Sequence, residues 1–361
     1  MISSLSPRRL KSVVRGGRQT SRSLLIWLAL TRALFVLTIV LVLPQVSRGQ
    51  IVSDASNPVV DTIPIAAPSG GADLGGTVTS PNGKTVYVAV TANSTVAVIN
   101  TSKNQLSSFI ATAANPIGVG ISPDGNTLYV TDESSQLEVL SVSARQLLYT
   151  VPVGQAPQIP GVSPDGTVIL VPSFEDGKVT PIDYYGTSAG AINVGGQPVD
   201  VVFNGAGTEA YVSNEKINAI SVINTSSNVV STISTPGPTV GLALKGTTLY
   251  ATGLGAVYVI NTKTGALTGT IEVKNPASSI LSIPSLTPDG DFLYVPVLEF
   301  GSSPASPGQT LLVINTKTKK IEGQPIQVGP LPIQMAIGAE GSFGYLSSEL
   351  GGFVSVVKLL K

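Results

Sequence analysis

The sequence predicts an all-β fold, a seven-bladed β-propeller whose blades are four-stranded antiparallel sheets. A Pro/Gly-containing turn recurs along the 361-residue chain at a nearly constant interval, and short β-branched and aromatic runs fill the spaces between the turns. Helical periodicity is absent after residue 50. Four short strands per repeat favour a propeller over a β-sandwich or a solenoid.

The recurring turn has the form Ser-Pro-Asp-Gly or a close variant. Proline presets the backbone of the first turn residue and Asp-Gly or Asn-Gly tolerates a positive φ, so each copy is predicted to join two strands. Copies that begin at residues 80, 122 and 163 lie 42 and 41 residues apart, which is the length of a propeller blade. Clear and degenerate copies together are found at 80–83, 122–125, 163–166, 204–207, 245–246, 287–290 and 339–341.

The chain between the turns supplies the other strands of each blade. An aromatic and β-branched run such as 128–131 follows the turn, and a third strand ending in Ile-Asn comes next, as at 95–100. A fourth strand leads to a Gly/Pro connection such as 153–157. The last repeat ends before its fourth strand, so the segment 59–65 is predicted to supply that strand and close the ring.

Residues 1–49 are predicted to be a signal peptide, and residues 50–361 the exported propeller. Basic residues precede an apolar segment at 24–43, which is expected to form a hydrophobic helix. Ser47-Arg48-Gly49 offers small residues to a signal peptidase, with cleavage after Gly49. The propeller is therefore expected in the periplasm, at the cell surface or in the medium.

An uncleaved membrane anchor is the alternative for the N-terminal segment. The 20 residues from 24 to 43 could span a bilayer. Arg32 favours the signal peptide, because an arginine at the centre of a span costs about 2.5 to 3.5 kcal/mol on insertion scales. Membrane contact is expected only through this segment, if it is retained.

The composition excludes several kinds of chemistry. The chain has no Cys and no His, which removes disulfides, thiolate and imidazole metal ligands and the Ser-His-Asp triad. Lys plus Arg and Asp plus Glu both number 21, so no net charge attracts nucleic acid. An acid or base in a site would have to be Asp, Glu, Lys or Tyr.

The repeat motifs resemble those of YVTN-family β-propeller repeat proteins, within the lactonase-like seven-bladed propeller superfamily. The resemblance rests on Tyr129-Val130-Thr131-Asp132 and Tyr211-Val212-Ser213-Asn214, with the Ser-Pro-Asp-Gly turns and the Val-Ile-Asn-Thr third strands, and it covers about residues 57–361. It implies a family that includes archaeal and bacterial surface proteins. Related propellers include sugar-lactone hydrolases and haem-binding reductase domains, so the resemblance implies the architecture and leaves the activity open.

Propeller geometry sorts the loops onto two ends of the molecule. Loops between second and third strands, with the connections between blades, share one end, and this end is predicted to carry Asp132, Glu133, Glu175, Asp176, Glu215, Glu299 and Glu349 beside Lys178 and Lys216. The opposite end carries Lys103, Arg145, Lys263, Lys317, Lys319 and Lys320. The acidic loops are candidates to attract a basic partner or a hard cation such as calcium, or they are solvated tips that maintain solubility.

Two polar residues stand out on predicted innermost strands, beside the channel. Asp200 lies where the second repeat has Gly118, and Gln334 has the same register in the last repeat. They are candidates to bind a ligand, or to hydrogen-bond neighbouring backbone and channel water. The long loop 298–309 is a candidate for a specific contact or a neutral insertion.

A tyrosine recurs at one place in most repeats. Its period is that of the fold itself, so these side chains are predicted to pack between blades. The residues are Tyr87, Tyr129, Tyr211, Tyr250, Tyr294 and Tyr345.

The leading functional hypothesis is an exported binding, scaffold or surface-interaction module without catalysis or a cofactor. Its partner would be an unknown protein or a surface polymer. The hypothesis rests on the regular repeats, the export signal and the lack of a nucleophile and base pair. The alternative is a lactonase-like hydrolase in which carboxylates, or a divalent metal bound by carboxylates, activate water.

Overall fold

The structure, a computed structural model, describes residues 58–65, 73–273, 279–298 and 309–361. The predicted signal peptide and the start of the propeller domain at residue 50 lie outside the described residues. Those that are described form thirty β-strands and one 3-10 helix, which make seven antiparallel sheets. The chain is therefore an all-β, seven-bladed propeller, as its repeats predict.

Blades 1 to 4 follow one another along the chain, and within each blade the strands run in chain order from innermost to outermost. Blade 1 has β2 (Leu74–Thr79), β3 (Thr85–Val90), β4 (Thr95–Asn100) and β5 (Gln105–Ala111), with the 3-10 helix Thr91–Asn93 after β3. Blade 2 has β6 (Pro116–Ile121), β7 (Thr127–Asp132), β8 (Gln136–Ser141) and β9 (Gln146–Pro152). Blade 3 has β10 (Gly161–Val162), β11 (Val168–Ser173), β12 (Lys178–Asp183) and β13 (Ile192–Asn193). Blade 4 has β14 (Pro198–Phe203), β15 (Glu209–Asn214), β16 (Ala219–Asn224) and β17 (Val230–Ser234).

Blades 5 to 7 complete the ring. Blade 5 has β18 (Thr239–Lys245), β19 (Thr248–Gly253), β20 (Ala256–Asn261) and β21 (Ala266–Glu272). Blade 6 has β22 (Ile280–Leu281) and β23 (Ser285–Leu286), then β24 (Phe292–Leu298), β25 (Thr310–Asn315), β26 (Lys320–Ile321) and β27 (Ile326–Gln327). Blade 7 has β28 (Pro332–Ile337), β29 (Phe343–Ser348), β30 (Phe353–Lys358) and β1 (Val59–Pro64).

Strand β1 closes the ring, because it is the outermost strand of the last blade. It pairs antiparallel with β30, with Ile63 opposite Val354 and Thr62 opposite Ser355. The prediction that an N-terminal strand completes the seventh blade is confirmed. Both ends of the described chain are thereby held in one sheet.

Blade 6 is the least regular blade, and prolines account for part of this. Its innermost position is divided between β22 and β23, which both pair with β24 on either side of Ile283-Pro284. Proline has no N–H to donate to the sheet. Ile283 instead forms a parallel bridge with Gln334 of blade 7, so the two innermost strands meet at the channel.

The Ser-Pro-Asp-Gly turns are hydrogen-bonded in the same way in successive blades. In blade 2, Ser122 Oγ donates to Asp124 and accepts from Thr127 N (3.0 Å), while Asp124 Oδ1 accepts from Asn126 N (3.0 Å). The serine hydroxyl is the main cause that holds the pKa of the Asp124 carboxyl below its usual value. Gly125 has φ +74°, a backbone conformation that favours glycine at this position of the turn.

The turns also contact each other around the ring. A Cβ at Gly166 would lie 3.0 Å from Pro123 Cδ of the preceding turn, and a Cβ at Gly341 would lie 2.9 Å from Pro288 Cδ. The proline of one turn therefore packs on the glycine of the next. At Gly246, between blades 4 and 5, nothing lies within 4 Å, so this contact is missing at the degenerate turn.

The recurring tyrosines are buried between blades, as predicted. Tyr345 of blade 7 packs against Val86 and Val88 of blade 1. Its hydroxyl lies 3.1 Å from the carbonyl oxygen of Thr101 and 2.7 Å from Asn104 Oδ1, both in the last turn of blade 1. Apolar clusters of this kind lie at each blade-to-blade junction of the described residues.

A buried hydroxyl on the second strand ties four of the described blades to the next blade. Thr131 Oγ1 accepts a hydrogen bond from Gly118 N (3.0 Å) and donates one to the carbonyl of Gln158 in blade 3 (2.9 Å). The same donation to the following blade is made by Ser213, Thr252 and Ser347. This bond explains why the third position of the Tyr-Val-Thr-Asp motif has a hydroxyl side chain, Thr or Ser.

The energy of the proline–glycine contact can be measured by comparing two glycines with nearly the same φ. Gly341 has φ +61° and Gly246 has φ +58°. Alanine at either site should cost about 1–2 kcal/mol because of the left-handed backbone. Gly341→Ala should cost about 1 kcal/mol more, because its Cβ meets Pro288. Equilibrium denaturation in urea measures both variants, and equal losses would show that the contact contributes nothing.

Candidate functional site

The acidic candidates lie at one end of the propeller, which we call the crossing face. It consists of the loops between second and third strands and the connections between blades, and the Ser-Pro-Asp-Gly turns form the opposite turn face. Three glutamates occupy one equivalent position on the crossing face. Their backbone N–H groups bond to the carbonyl just before an innermost strand: Glu133 to Asn115 (3.1 Å), Glu215 to Gln197 (2.9 Å) and Glu349 to Leu331 (2.9 Å). The fold therefore brings Glu133, Glu215 and Glu349 to the same mouth of the channel.

Glu215 is the most perturbed of these three acids. Its side chain is partly exposed, and its carboxylate has no hydrogen bond within the described part of the chain. Desolvation raises the pKa of Glu215 to about 8. A nearby cation would favour the ionised form, so this carboxylate would gain from a positively charged partner.

The other acidic loop residues have separate environments. Glu133 is exposed and accepts a hydrogen bond from Asn115 Nδ2 (3.0 Å), whereas Glu349 is buried. Glu175 and Asp176 are exposed in the next loop, where Asp176 Oδ2 accepts from Gln155 N (2.7 Å). Glu299, another candidate, lies outside the described residues.

Asp132 is not an exposed loop tip. It is buried, and its Oδ1 accepts hydrogen bonds from the backbone N–H groups of Ser134 (2.7 Å) and Gln136 (3.1 Å). The side chain thus holds the turn between β7 and β8. The sequence analysis places this residue in a crossing-face loop, whereas it is the last residue of β7 and its hydrogen bonds direct the side chain inward.

Glu138 is a buried acid that the sequence reasoning missed. It lies on β8, and its two carboxylate oxygens accept hydrogen bonds from Ala113 N (2.8 Å) and Ala114 N (3.1 Å) in the connection from blade 1. Burial is the largest cause that raises the pKa of Glu138, and the nearby Asp132 adds to it. A glutamate inside the apolar run from Leu137 to Leu140 was the available signal.

Asp200 and Gln334 join innermost strands of adjacent blades. Asp200 is 4% exposed, and its Oδ2 accepts a hydrogen bond from Leu242 N of blade 5 (2.8 Å) while its Oδ1 accepts from Val201 N (2.9 Å). Gln334 Oε1 accepts in the same way from Thr77 N of blade 1 (2.9 Å). Of the two interpretations of these residues, the contacts agree with hydrogen bonding to neighbouring backbone.

No group of three His, Cys, Asp or Glu side chains that could hold a metal ion occurs within the described ranges. The calcium expectation stays a prediction. Among the same residues, no helix is long and apolar enough to cross a membrane.

Comparison with known proteins supports the fold alone. No family model matches the chain, and no curated protein is similar to it in sequence. Among solved structures, hydrazine synthase from Kuenenia stuttgartiensis is similar, with a TM-score of 0.70 and 16% sequence identity. The alignment covers 86% of this chain and 98% of that chain. Membership of the YVTN family stays a prediction.

The buried carboxyl of Asp200 should make stability depend on pH. Burial, opposed by its two backbone hydrogen bonds, raises its pKa from the ordinary 3.8 to about 6. Between these two pKa values the folded protein holds a proton that the unfolded chain has lost. The free energy of unfolding is therefore highest below about pH 4 and falls as the pH rises through about 6. Relative to Asp200→Asn, the wild type should lose on the order of 2–3 kcal/mol across this window.

Urea denaturation at successive pH values measures the free energy of unfolding of both proteins. The contribution of the other titrating groups is the same in both and cancels in the difference. A pH-independent difference between the two proteins would contradict the assignment.

Proposed function

We propose that this protein is an exported, non-catalytic binding module of the YVTN type, and that its crossing face binds a positively charged partner. The partner would be a basic segment of a protein or a basic surface polymer. The observation that carries the proposal is the placement of Glu133, Glu215 and Glu349 at one equivalent position beside the channel mouth. Export rests on the predicted signal peptide at 1–49.

The protonation of Glu215 gives this proposal a chemical basis. A desolvated carboxyl with a pKa of about 8 is mostly protonated near neutral pH. A cationic side chain beside it would restore the ionised form and form a charge-assisted hydrogen bond. Binding would therefore release a proton, which distinguishes this site from ordinary surface attraction.

Charges on the turn face are arranged differently and support the choice of the crossing face. Lys317 forms an ion pair with Asp291 at 2.6 Å. Lys319 Nζ donates to the carbonyl of Thr268 (3.0 Å). Aspartates such as Asp165 are hydrogen-bonded inside their turns. Several charged side chains of this face are therefore engaged within the protein.

The alternative function is a lactonase-like hydrolase in which carboxylates, or a divalent metal bound by carboxylates, activate water. It would need a carboxylate free to activate water or hold a metal. Asp132, Asp176 and Asp200 each accept hydrogen bonds from backbone N–H groups. These contacts favour structural roles for the three side chains. Glu215, whose carboxylate accepts no hydrogen bond from the described residues, would be the carboxylate available to a hydrolase, but its position is shared by two other glutamates, which favours binding.

Calorimetric titration of the full chain with an oligolysine peptide tests the proposal. The combined variant Glu133→Gln, Glu215→Gln, Glu349→Gln should bind at least about tenfold more weakly. In buffers with different ionisation enthalpies, the wild type should release up to about one proton near pH 7, and Glu215→Gln alone should abolish that release.

The matched control removes three charges from the turn face by Asp124→Asn, Asp165→Asn and Asp289→Asn. Blade 1 already has Asn82 at this position, where its Oδ1 accepts from Ser80 Oγ (2.8 Å) and Lys84 N (3.0 Å). The control should therefore fold and bind as the wild type does. Equal weakening of both variants, or binding without proton release, would refute the crossing-face site.

A further inference from the structure

The outer rim between blades 2 and 3 exposes a group of large side chains, which we call the rim patch. It consists of Leu148 and Tyr149 on β9 with Tyr184 and Tyr185 in the turn after β12. Their exposed fractions are 51%, 37%, 53% and 84%, respectively. This patch lies away from the glutamates of the crossing face and is independent of the function proposed for them.

The three tyrosines of the rim patch are in contact. Tyr149 OH donates to the carbonyl of Tyr184 (3.4 Å), and the Tyr149 ring lies so close to Gly186 that a Cβ there would be 2.6 Å from Tyr149 Cε2. The rings of Tyr184 and Tyr185 meet edge to face, with centroids 5.6 Å apart and an interplanar angle of 82°. The three tyrosines therefore form one continuous surface, with Leu148 next to Tyr149 in the chain.

Other blades show that the fold does not require large residues on this strand. A β-bulge leaves Leu148 as the extra residue of β9. The same bulge in β5 and β21 has Ser107 and Thr268 at this place. Large apolar residues on an exposed outer strand are a liability for solubility, so their presence in blade 2 calls for a functional cause.

The turn of blade 3 also departs from the other blades. Asp183 Oδ1 holds this turn by accepting from Tyr185 N (2.9 Å) and Thr187 N (2.7 Å), as Asn100 does in blade 1 with Lys103 N (3.1 Å). The turn therefore depends on the aspartate, and the tyrosine side chains take no part in it. Blade 1 has Thr101-Ser102 where blade 3 has the two tyrosines.

The turn with the tyrosine pair also differs in its contact with the tyrosine beneath it. Tyr345 reaches the turn of blade 1 with its hydroxyl, at 2.7 Å from Asn104 Oδ1. Tyr129, its equivalent in blade 2, has a buried hydroxyl without a hydrogen-bond partner among the described residues. The turn of blade 3 therefore does not bond the tyrosine beneath it as the turn of blade 1 does.

The size and shape of the rim patch indicate its occupant. Four such side chains expose on the order of 500 Å², which is less than the roughly 800 Å² per partner of a standard interface between folded proteins. A second copy of this chain is therefore not accommodated by the patch alone. Rings at 82° form a corner instead of the flat platform that a sugar chain would stack on.

The chemistry of the rim patch is uncharged and amphipathic. Leucine and tyrosine side chains provide apolar contact with few rotatable bonds, and the tyrosine hydroxyls provide hydrogen bonds. Beside them, β9 is the last strand of its sheet, and no strand of the described residues pairs with its outer edge, which an extended chain could join. We propose that the rim patch binds a short, uncharged, extended peptide segment of another protein through apolar or aromatic side chains.

The test is selection of a phage-displayed random peptide library on the immobilised full chain, followed by anisotropy titration of the enriched peptides. The variant Leu148→Ser, Tyr149→Ser, Tyr184→Thr, Tyr185→Ser gives blade 2 and blade 3 the residues that blade 1 has. The control Val229→Ser, Leu254→Ser, Leu350→Ser removes apolar side chains that are similarly exposed elsewhere. Circular dichroism checks that both variants fold.

Enriched peptides should carry apolar or aromatic side chains, bind the blade-1 variant at least about tenfold more weakly, and bind the control unchanged. If the blade-1 variant does not fold, Tyr185→Ser and Leu148→Ser singly should each weaken binding. Lack of enrichment, or equal binding to all variants, would overturn the proposal. Binding of the polysaccharide pullulan that is lost in the blade-1 variant, while peptide binding is unchanged, would also overturn it. The same holds for concentration-dependent dimerisation, measured by sedimentation, that is lost in this variant while peptide binding is unchanged.

Discussion

Each blade of this propeller is a twisted sheet with two apolar faces, and a single blade cannot bury either face. Both faces are covered only when blades stand on either side, so stability depends on a closed ring. The pairing of β1 with β30 provides the closure, and an apolar cluster lies at each junction. The tyrosines, the proline–glycine contacts and the second-strand hydroxyls are local solutions to this one requirement, repeated at the blade spacing.

The same requirement determines where polar groups are used. Connections between blades contain backbone N–H groups that no strand can pair, and a buried unpaired N–H is costly. Side-chain oxygens from a neighbouring strand or blade accept those bonds, as Glu138 does for Ala113 and Asp200 does for Leu242. Acids in this propeller therefore have two roles: some hold the ring together, and others, such as Glu215, remain on the crossing face without such a bond.

The periodic features could be predicted from the sequence, because each is repeated. The seven blades, the closing strand and the buried tyrosines follow from turns at 41- or 42-residue intervals, with one longer interval between the turns at 287 and 339. The environment of a single acid could not be predicted in this way. Asp132 and Glu215 both lie at the end of a second strand, but one is capped by Ser134 and Gln136 while the other has no hydrogen bond from the described residues. Glu138 was missed because its partners lie 24 and 25 residues away, in another blade.

In a protein of repeated units, the differences between the units carry the functional information. Some differences are explained by the fold: Gln334 and Asp200 replace glycine and tie neighbouring strands, and Pro284 interrupts an innermost strand. Others are not: the side chains of Tyr184 and Tyr185 take no part in the hydrogen bonds of their turn, which Asp183 holds through the backbone. A tyrosine pair that blades 1 and 4 replace by Thr-Ser, and whose side chains do not hold their own turn, is best explained by contact with something outside the chain. The blades thus act as internal controls for one another, and they separate the side chains that build the ring from those available for recognition.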